Sequence, residues 1–220
     1  MTELLLFGMI VCMKSLQPPR IRYTEEKDWK EPFETFRQLE LIGTPEREIS
    51  FQEETFDECL FRKVDFHSVH LKDCDLLDVL LENCDLSGLS FEGHRLCRVA
   101  FRNCKLLGTS FYGASLKDVS FENCQSRYLN FAQAKLDRVL FNKTALIDAS
   151  FYENETKDLC FRSCDLQGSE FFRCSLKDAD LSDSELNGTS FDIDSLKGLT
   201  VNKEQCAALA ALFGLQVKDE

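Results

Sequence analysis

Residues 96–124 read LCRVAFRNCKLLGTSFYGASLKDVSFENC. Every fifth residue is large and apolar: Leu96, Phe101, Leu106, Phe111, Leu116 and Phe121. Two residues before each next large one stands something small or branched: Val99, Cys104, Thr109, Ala114 and Val119. Helices repeat at about 3.6 residues and flat strands at about 2, and a beat of five fits neither. It needs a chain that turns a corner every few residues and brings the same position inward each time, which is a solenoid.

The beat extends from Phe51 to Leu196 without an insertion or deletion, and only Ser126 and Thr156 replace Phe or Leu at its large positions. Taken at intervals of 20, the large residues sort into four columns. Phe91, Phe111, Phe131, Phe151, Phe171 and Phe191 belong to one, and Phe101, Phe121, Phe141 and Phe161 to a second; the other two are mainly Leu. Phe columns alternating with Leu columns are what a square coil of 20 residues gives, each coil stacked on the last as strands stack in a sheet, about 4.8 Å apart. The expected fold is therefore an all-β solenoid. Two residues after each large one the chain favours Gly, Asn and Asp (Gly88, Gly93, Asn103, Gly108, Gly113, Asp118, Asn123, Gly168, Gly188), types suited to tight turns and left-handed backbone. Ser126 and Thr156 are expected to mark a local bulge. His94 occupies a small inward position, where an accommodated or outward-rotated side chain is expected rather than a ligand.

Seven of the eleven cysteines (Cys59, Cys74, Cys84, Cys104, Cys124, Cys164, Cys174) also fall on the small inward position. With no CxxC pair and no interleaved His, they read as buried, reduced, compact fillers and not as a disulfide framework or metal site. This points to a reducing cytoplasm. The formal net charge of −12 argues against a nucleic-acid partner. Three histidines, at 67, 70 and 94, with no matched nucleophile or acid, and an interior filled by apolar side chains argue against an enzyme. No cofactor is expected.

The ends differ from the middle. Residues 1–12, MTELLLFGMIVC, are too short an apolar run to span a bilayer and lack the basic start and cleavage site of a signal peptide. Three readings stand: a start at Met13, a loosely packed tail, or a targeting signal. Residues 1–35 form an arm; all four prolines lie between 14 and 48, and Trp29 is expected against the end of the solenoid. The coil domain is placed at 36–200, with an imperfect first coil at 36–50, because an open solenoid end needs a cap. Residues 201–220 leave the beat. Asn202 and Gln205 suit a capping pair for a short helix that Gly214 ends, with Leu215 and Val217 as a short strand. This segment is too apolar for one buried face, so it is expected to be a cap that also forms a two-fold dimer through Val201, Ala208, Leu209, Leu212, Phe213 and Leu215, the alternative being a plain hydrophobic cap.

The segments FRNCKLLGTSF (101–111), FRSCDLQGSEF (161–171) and LKDADLSDSEL (176–186) resemble the pentapeptide-repeat family, consensus A(D/N)LXX, over about 36–217. Within it, GLTVNKEQCAALAALFGLQV (198–217), LKDVSFENCQSRYLNFAQAKLDRVLFN (116–142) and MKSLQPP (13–19) are similar to the quinolone-resistance (Qnr-type) proteins of Gram-positive bacteria. The resemblance implies a right-handed quadrilateral β-helix, dimerised through its C-terminal helices and shaped and charged like duplex DNA. Such a protein binds DNA gyrase and topoisomerase IV and protects them from fluoroquinolones. The loop insertions of Gram-negative relatives are absent between 49 and 200. Residues 51–200 hold 26 Asp and Glu against 17 Lys and Arg. Asp178, Asp180, Asp183, Glu185, Asp192 and Asp194, in the last coils, are the expected topoisomerase contacts, since an acidic rod suits a basic surface. The alternative is a structural or adaptor solenoid with another protein partner, because fold does not fix function.

Overall fold

The computed structural model describes residues 16–218 apart from Tyr23, Glu31, Pro32 and Glu34; the readings of residues 1–12 lie outside it. The chain winds into a β-solenoid of about eight coils with one short C-terminal helix. In its regular body the strand pairs are parallel and offset by 20 residues. Leu76, Leu96, Leu116, Leu136 and Thr156 are successive partners, as are Phe61, Leu81, Phe101, Phe121, Phe141 and Phe161. Five eight-residue strands, Asp75–Glu82, Arg95–Arg102, Ser115–Glu122, Lys135–Asn142 and Glu155–Arg162, stack side by side. Each bends at its fourth residue, where φ is positive (Asp78 +54°, Arg98 +53°, Asp118 +56°, Arg138 +57°, Asp158 +53°), so one strand lines two adjacent faces. The other two faces are held by shorter bridges, such as Asp85 with Lys105 and Ser90 with Ser110.

The nine turn positions expected from sequence all have positive φ, from +52° at Asn103 to +72° at Gly88. The conformation is not reserved for glycine: Tyr128 and Lys143 adopt it too, at +61° and +50°. An L-residue there costs about 1–2 kcal/mol, which the backbone ladders on either side outweigh. At Gly168 the absence of a side chain matters for a second reason, since a Cβ would crowd the Asp148 carboxylate.

The two Phe columns occupy opposite faces and meet across the axis. Within a column the rings lie parallel, as for Phe101 and Phe121 (4.7 Å, 2°) or Phe151 and Phe171 (4.7 Å, 6°). Between columns they meet edge to face, as for Phe101 and Phe111 (6.0 Å, 83°). Both arrangements are favoured by the ring quadrupole. Below Phe66 the order changes, and Phe36, Phe51, Phe56 and Phe61 interlock edge-on.

The small inward position does more than save space. Cys104 Sγ donates to the Leu81 carbonyl (3.4 Å), Thr109 Oγ1 to Leu86 (2.8 Å), Thr144 Oγ1 to Phe121 (3.0 Å) and Thr189 Oγ1 to Leu166 (2.8 Å), each 23 residues back. Cys59, Cys84, Cys124 and Cys164 do the same, so at these positions a thiol or hydroxyl reaches the carbonyl of a large residue in the preceding coil. All seven inward cysteines are free and buried, and burial raises the thiols of Cys59 and Cys164 to about 11. Cys160, outside that column, is disulfide-bonded, so the expected reduced state holds for the seven inward cysteines and does not extend to Cys160.

Two expectations need correction. Ser126 and Thr156 make no bulge. Ser126 is buried and its hydroxyl donates to the Ala145 carbonyl; the bridges on either side of it, Lys105 with Gln125 and Arg127 with Ile147, keep the 20-residue register. Thr156 pairs in register with Leu136 and donates to the Ser175 carbonyl at 2.7 Å. The ladder is made by backbone, so losing a large side chain does not break it. The strand expected after Gly214 does not form either: residues 215–218 are irregular and exposed, with no ladder to join.

Both ends are covered. Glu25–Glu26 pairs with Leu39–Ile42, extending the sheet past the first coil. Trp29 Nε1 donates to the Gly43 carbonyl at 2.7 Å, and Phe33 lies between Trp29 and the rings of Phe36 and Phe51. At the other end, helix α1 (Lys203–Leu212) starts in a capping box: Asn202 Oδ1 accepts from Gln205 N (2.9 Å) and Gln205 Oε1 from Asn202 N (2.8 Å). Gln205 Nε2 also donates to the carbonyls of Leu181 and Ser184, fastening the helix to the last coils.

Thr109→Val keeps the shape of the inward position and deletes its donor. The expected loss is about 1 kcal/mol, measured by urea unfolding. His94 is buried with Nδ1 unpartnered, its ring edge-on to Phe91 at 5.8 Å. Burial holds its pKa below the ordinary 6.5, against the opposing pull of Asp73 and Asp75. As pH falls below about 6.5 the unfolded chain takes up this proton first, so stability declines from there down to the folded pKa. His94→Ala, which matches Ala114 and Ala134 one and two coils on, is expected to flatten that slope in thermal melts at pH 5 to 7.5.

Candidate partner-binding surface

Over most of the rod the 20-residue stacking sets an acid beside a base one coil away. Asp75 meets Arg95, Glu82 meets Arg62 (3.1 Å), Glu122 meets Arg102 (3.3 Å), and Glu153 meets Arg173 (2.5 Å). Such exposed pairs contribute little stability individually, but they neutralise the surface. The last coils depart from this pattern. Among the described residues Asp178, Asp180, Asp183 and Glu185 are exposed and have no ion pair. Sequence reasoning passed over Asp158 and Glu170, which are exposed and likewise unpaired. For Asp158 the signal was a column in which it is followed 20 residues later by Asp178, acid on acid; Glu170 stands between Ser150 and Ser190 in its column, with no base beside it.

The six expected acids do not act alike. Asp192 is half-buried and structural: its carboxylate accepts the amides of Arg173 (2.5 Å) and Ser195 (2.7 Å), which hold its pKa below the usual carboxylate range. Asp194 is bound to Lys197 Nζ at 2.6 Å. Asp183 accepts from Ser163 Oγ at 3.1 Å, and Asp180 from the Ser182 amide at 2.9 Å, neither facing a base. With five residues to a face, the six fall on all four sides and form a collar around the rod, not one patch.

Helix α1 lies against this collar. It has no buried residue. Leu212, Phe213 and Leu215 are 59%, 40% and 64% exposed, and Ala208 is exposed beside them. Leu209, half-buried, packs against the core together with Leu199, so it faces the rod; Val201 is half-buried. A cleft of about 410 Å³ between the helix and the coil of 184–189 is lined by Glu185, Asn187, Gln205 and Leu209, among others. Among the described residues no cluster of His, Cys, Asp and Glu suits a metal ion, and no helix is long and apolar enough to cross a membrane.

Two family models match this chain. One, a pentapeptide repeat region, covers residues 94–171; the other, pentapeptide repeats in eight copies, covers 65–103 and 160–192, so that together they span 65–192. The chain belongs to the pentapeptide-repeat family. No curated protein sequence matches it. Among solved structures of the family, a trypsin-treated variant of QnrB1, a plasmid-mediated fluoroquinolone resistance protein, is similar at 21% identity and a TM-score of 0.51, over 88% of this chain and 95% of that one. Full-length QnrB1 is 20% identical with a TM-score of 0.47, over 87% and 95%. HetL, a pentapeptide-repeat protein involved in heterocyst differentiation regulation from the cyanobacterium Nostoc, is 14% identical with a TM-score of 0.28, over 92% and 97%. The likeness to the QnrB1 variant shows a shared fold.

Proposed function

We propose that this pentapeptide-repeat protein binds DNA gyrase and topoisomerase IV in the cytoplasm and protects them from fluoroquinolones, as a homodimer joined through α1. One observation carries the reading: the unpaired acids of the collar, Asp178, Asp180, Asp183 and Glu185, stand beside an exposed apolar helix. A two-fold contact through Ala208, Leu212, Phe213 and Leu215 removes that apolar surface from water and brings two collars together at the centre of a longer rod. The result is a stiff acidic surface suited to the basic groove in which a topoisomerase holds DNA. The Qnr-type segments at 116–142 and 198–217 favour the same target. If the rod serves another protein as an adaptor, the same acids remain a docking surface but topoisomerases are indifferent to it.

A gyrase supercoiling assay with ciprofloxacin separates these readings: micromolar protein restores supercoiling if it protects and leaves inhibition unchanged if it is an adaptor. Asp180→Lys with Asp183→Lys is expected to weaken capture of gyrase, steeply so at low salt, and unchanged affinity counts against the collar. Leu212→Asp with Phe213→Asp is expected to halve the mass seen by sedimentation equilibrium while leaving the far-ultraviolet circular dichroism of the rod intact.

A further inference from the structure

The arm runs along the outside of the rod, over the corner at which the five long strands bend. That corner is a column of alternating charge: Asp78, Arg98, Asp118, Arg138. Arg98 grips Asp78 with both forks (2.6 and 2.6 Å), and Arg138 grips Asp118 (2.6 and 2.8 Å). The carboxylates are nearly buried, at 5% and 4% exposure. Each takes a further donor from the arm: the Arg20 amide on Asp78 Oδ1 at 2.9 Å, and the Gln17 amide on Asp118 Oδ1 at 3.1 Å. Beyond them Leu16 packs on Leu140 and Cys160.

The spacing explains the match. Asp78 and Asp118 are two coils apart, about 9.6 Å at strand spacing. Between Gln17 and Arg20 stand Pro18 and Pro19, which have no N–H to leave unsatisfied and fix φ for polyproline helix. That helix has three residues per turn and rises about 3.1 Å per residue, so residues 17 and 20 share one side about 9.3 Å apart. The two amides therefore fall where the two carboxylates stand. Arg20 Nη2 closes the turn onto Gln17 Oε1 at 3.3 Å, and Arg20 and Arg22 set positive charge near Asp78 and Glu58.

We propose that this corner is a receptor groove for polyproline main chain and that residues 16–22 are its resident ligand, a strap that closes the corner to other partners while docked. Specificity lies in backbone amides spaced three residues apart across a proline pair, read by acids spaced two coils apart. The inference does not depend on a topoisomerase target.

The test uses the full chain. Gln17→Pro with Arg20→Pro deletes both amide donors and leaves the rod untouched. Trypsin is expected to cleave after Arg22 at least tenfold faster in this variant than in the wild type, with unchanged thermal melting. The emptied groove of the variant is then expected to bind a fluorescent peptide of residues 16–24 saturably. The same peptide with proline at 17 and 20 is expected not to bind. A peptide carrying Pro18→Gly and Pro19→Gly, which keeps every donor and charge, is expected to bind about tenfold more weakly. Equal cleavage of wild type and variant, or equal binding of all three peptides, overturns the proposal; the second result leaves neither the two amides nor the proline pair a part in recognition.

Discussion

The rise between coils is fixed by backbone hydrogen bonding at about 4.8 Å, and that distance is also a workable stacking distance for aromatic rings. The Phe columns take it up directly, with parallel rings 4.7 to 5.4 Å apart. The ladder therefore dictates what may stand in a column. A ring above a ring gains dispersion, an arginine above an aspartate gains a bidentate pair, and a hydroxyl or thiol facing inward reaches a carbonyl of the coil before. The repeat in sequence is the record of that single distance acting on side chains of different chemistry.

Much of this was legible from spacing. The five-residue beat identified the solenoid, the Phe and Leu columns placed the core, and Asn202 with Gln205 marked the helix start. What could not be read depended on contacts between remote segments. The cysteines looked like fillers because their donor role appears only when residue 104 is set beside the carbonyl of residue 81. Ser126 and Thr156 read as breaks on hydrophobicity alone, whereas the backbone ladder runs through both. Leu215 and Val217 alternate like a strand but have no edge to join. The path of the arm was hidden although QPPR was in plain view, since nothing local says that two prolines will be laid along a row of aspartates.

The candidate surface shows the same division. Sequence located the acidic coils but treated six residues as equivalent. The structure separates Asp192, used up by two amides, and Asp194, held by Lys197, from Asp178, Asp180, Asp183 and Glu185, whose charge is uncompensated. Asp192 and Asp194 are satisfied by local partners, the Arg173 and Ser195 amides and Lys197. Elsewhere on the rod an acid often meets an arginine one coil away; the four open acids have no arginine at that position.

The uninterrupted register has an evolutionary corollary. Losing or gaining a single residue within the regular coils shifts every later position off the five-residue beat and turns the core outward. Removing one pentapeptide preserves the beat but rotates the remainder by a quarter turn, setting phenylalanine faces on leucine faces. Only a block of twenty restores all four sides at once. Such a molecule is quantised in length: tandem duplication or excision of whole coils is the natural way for its lineage to become longer or shorter.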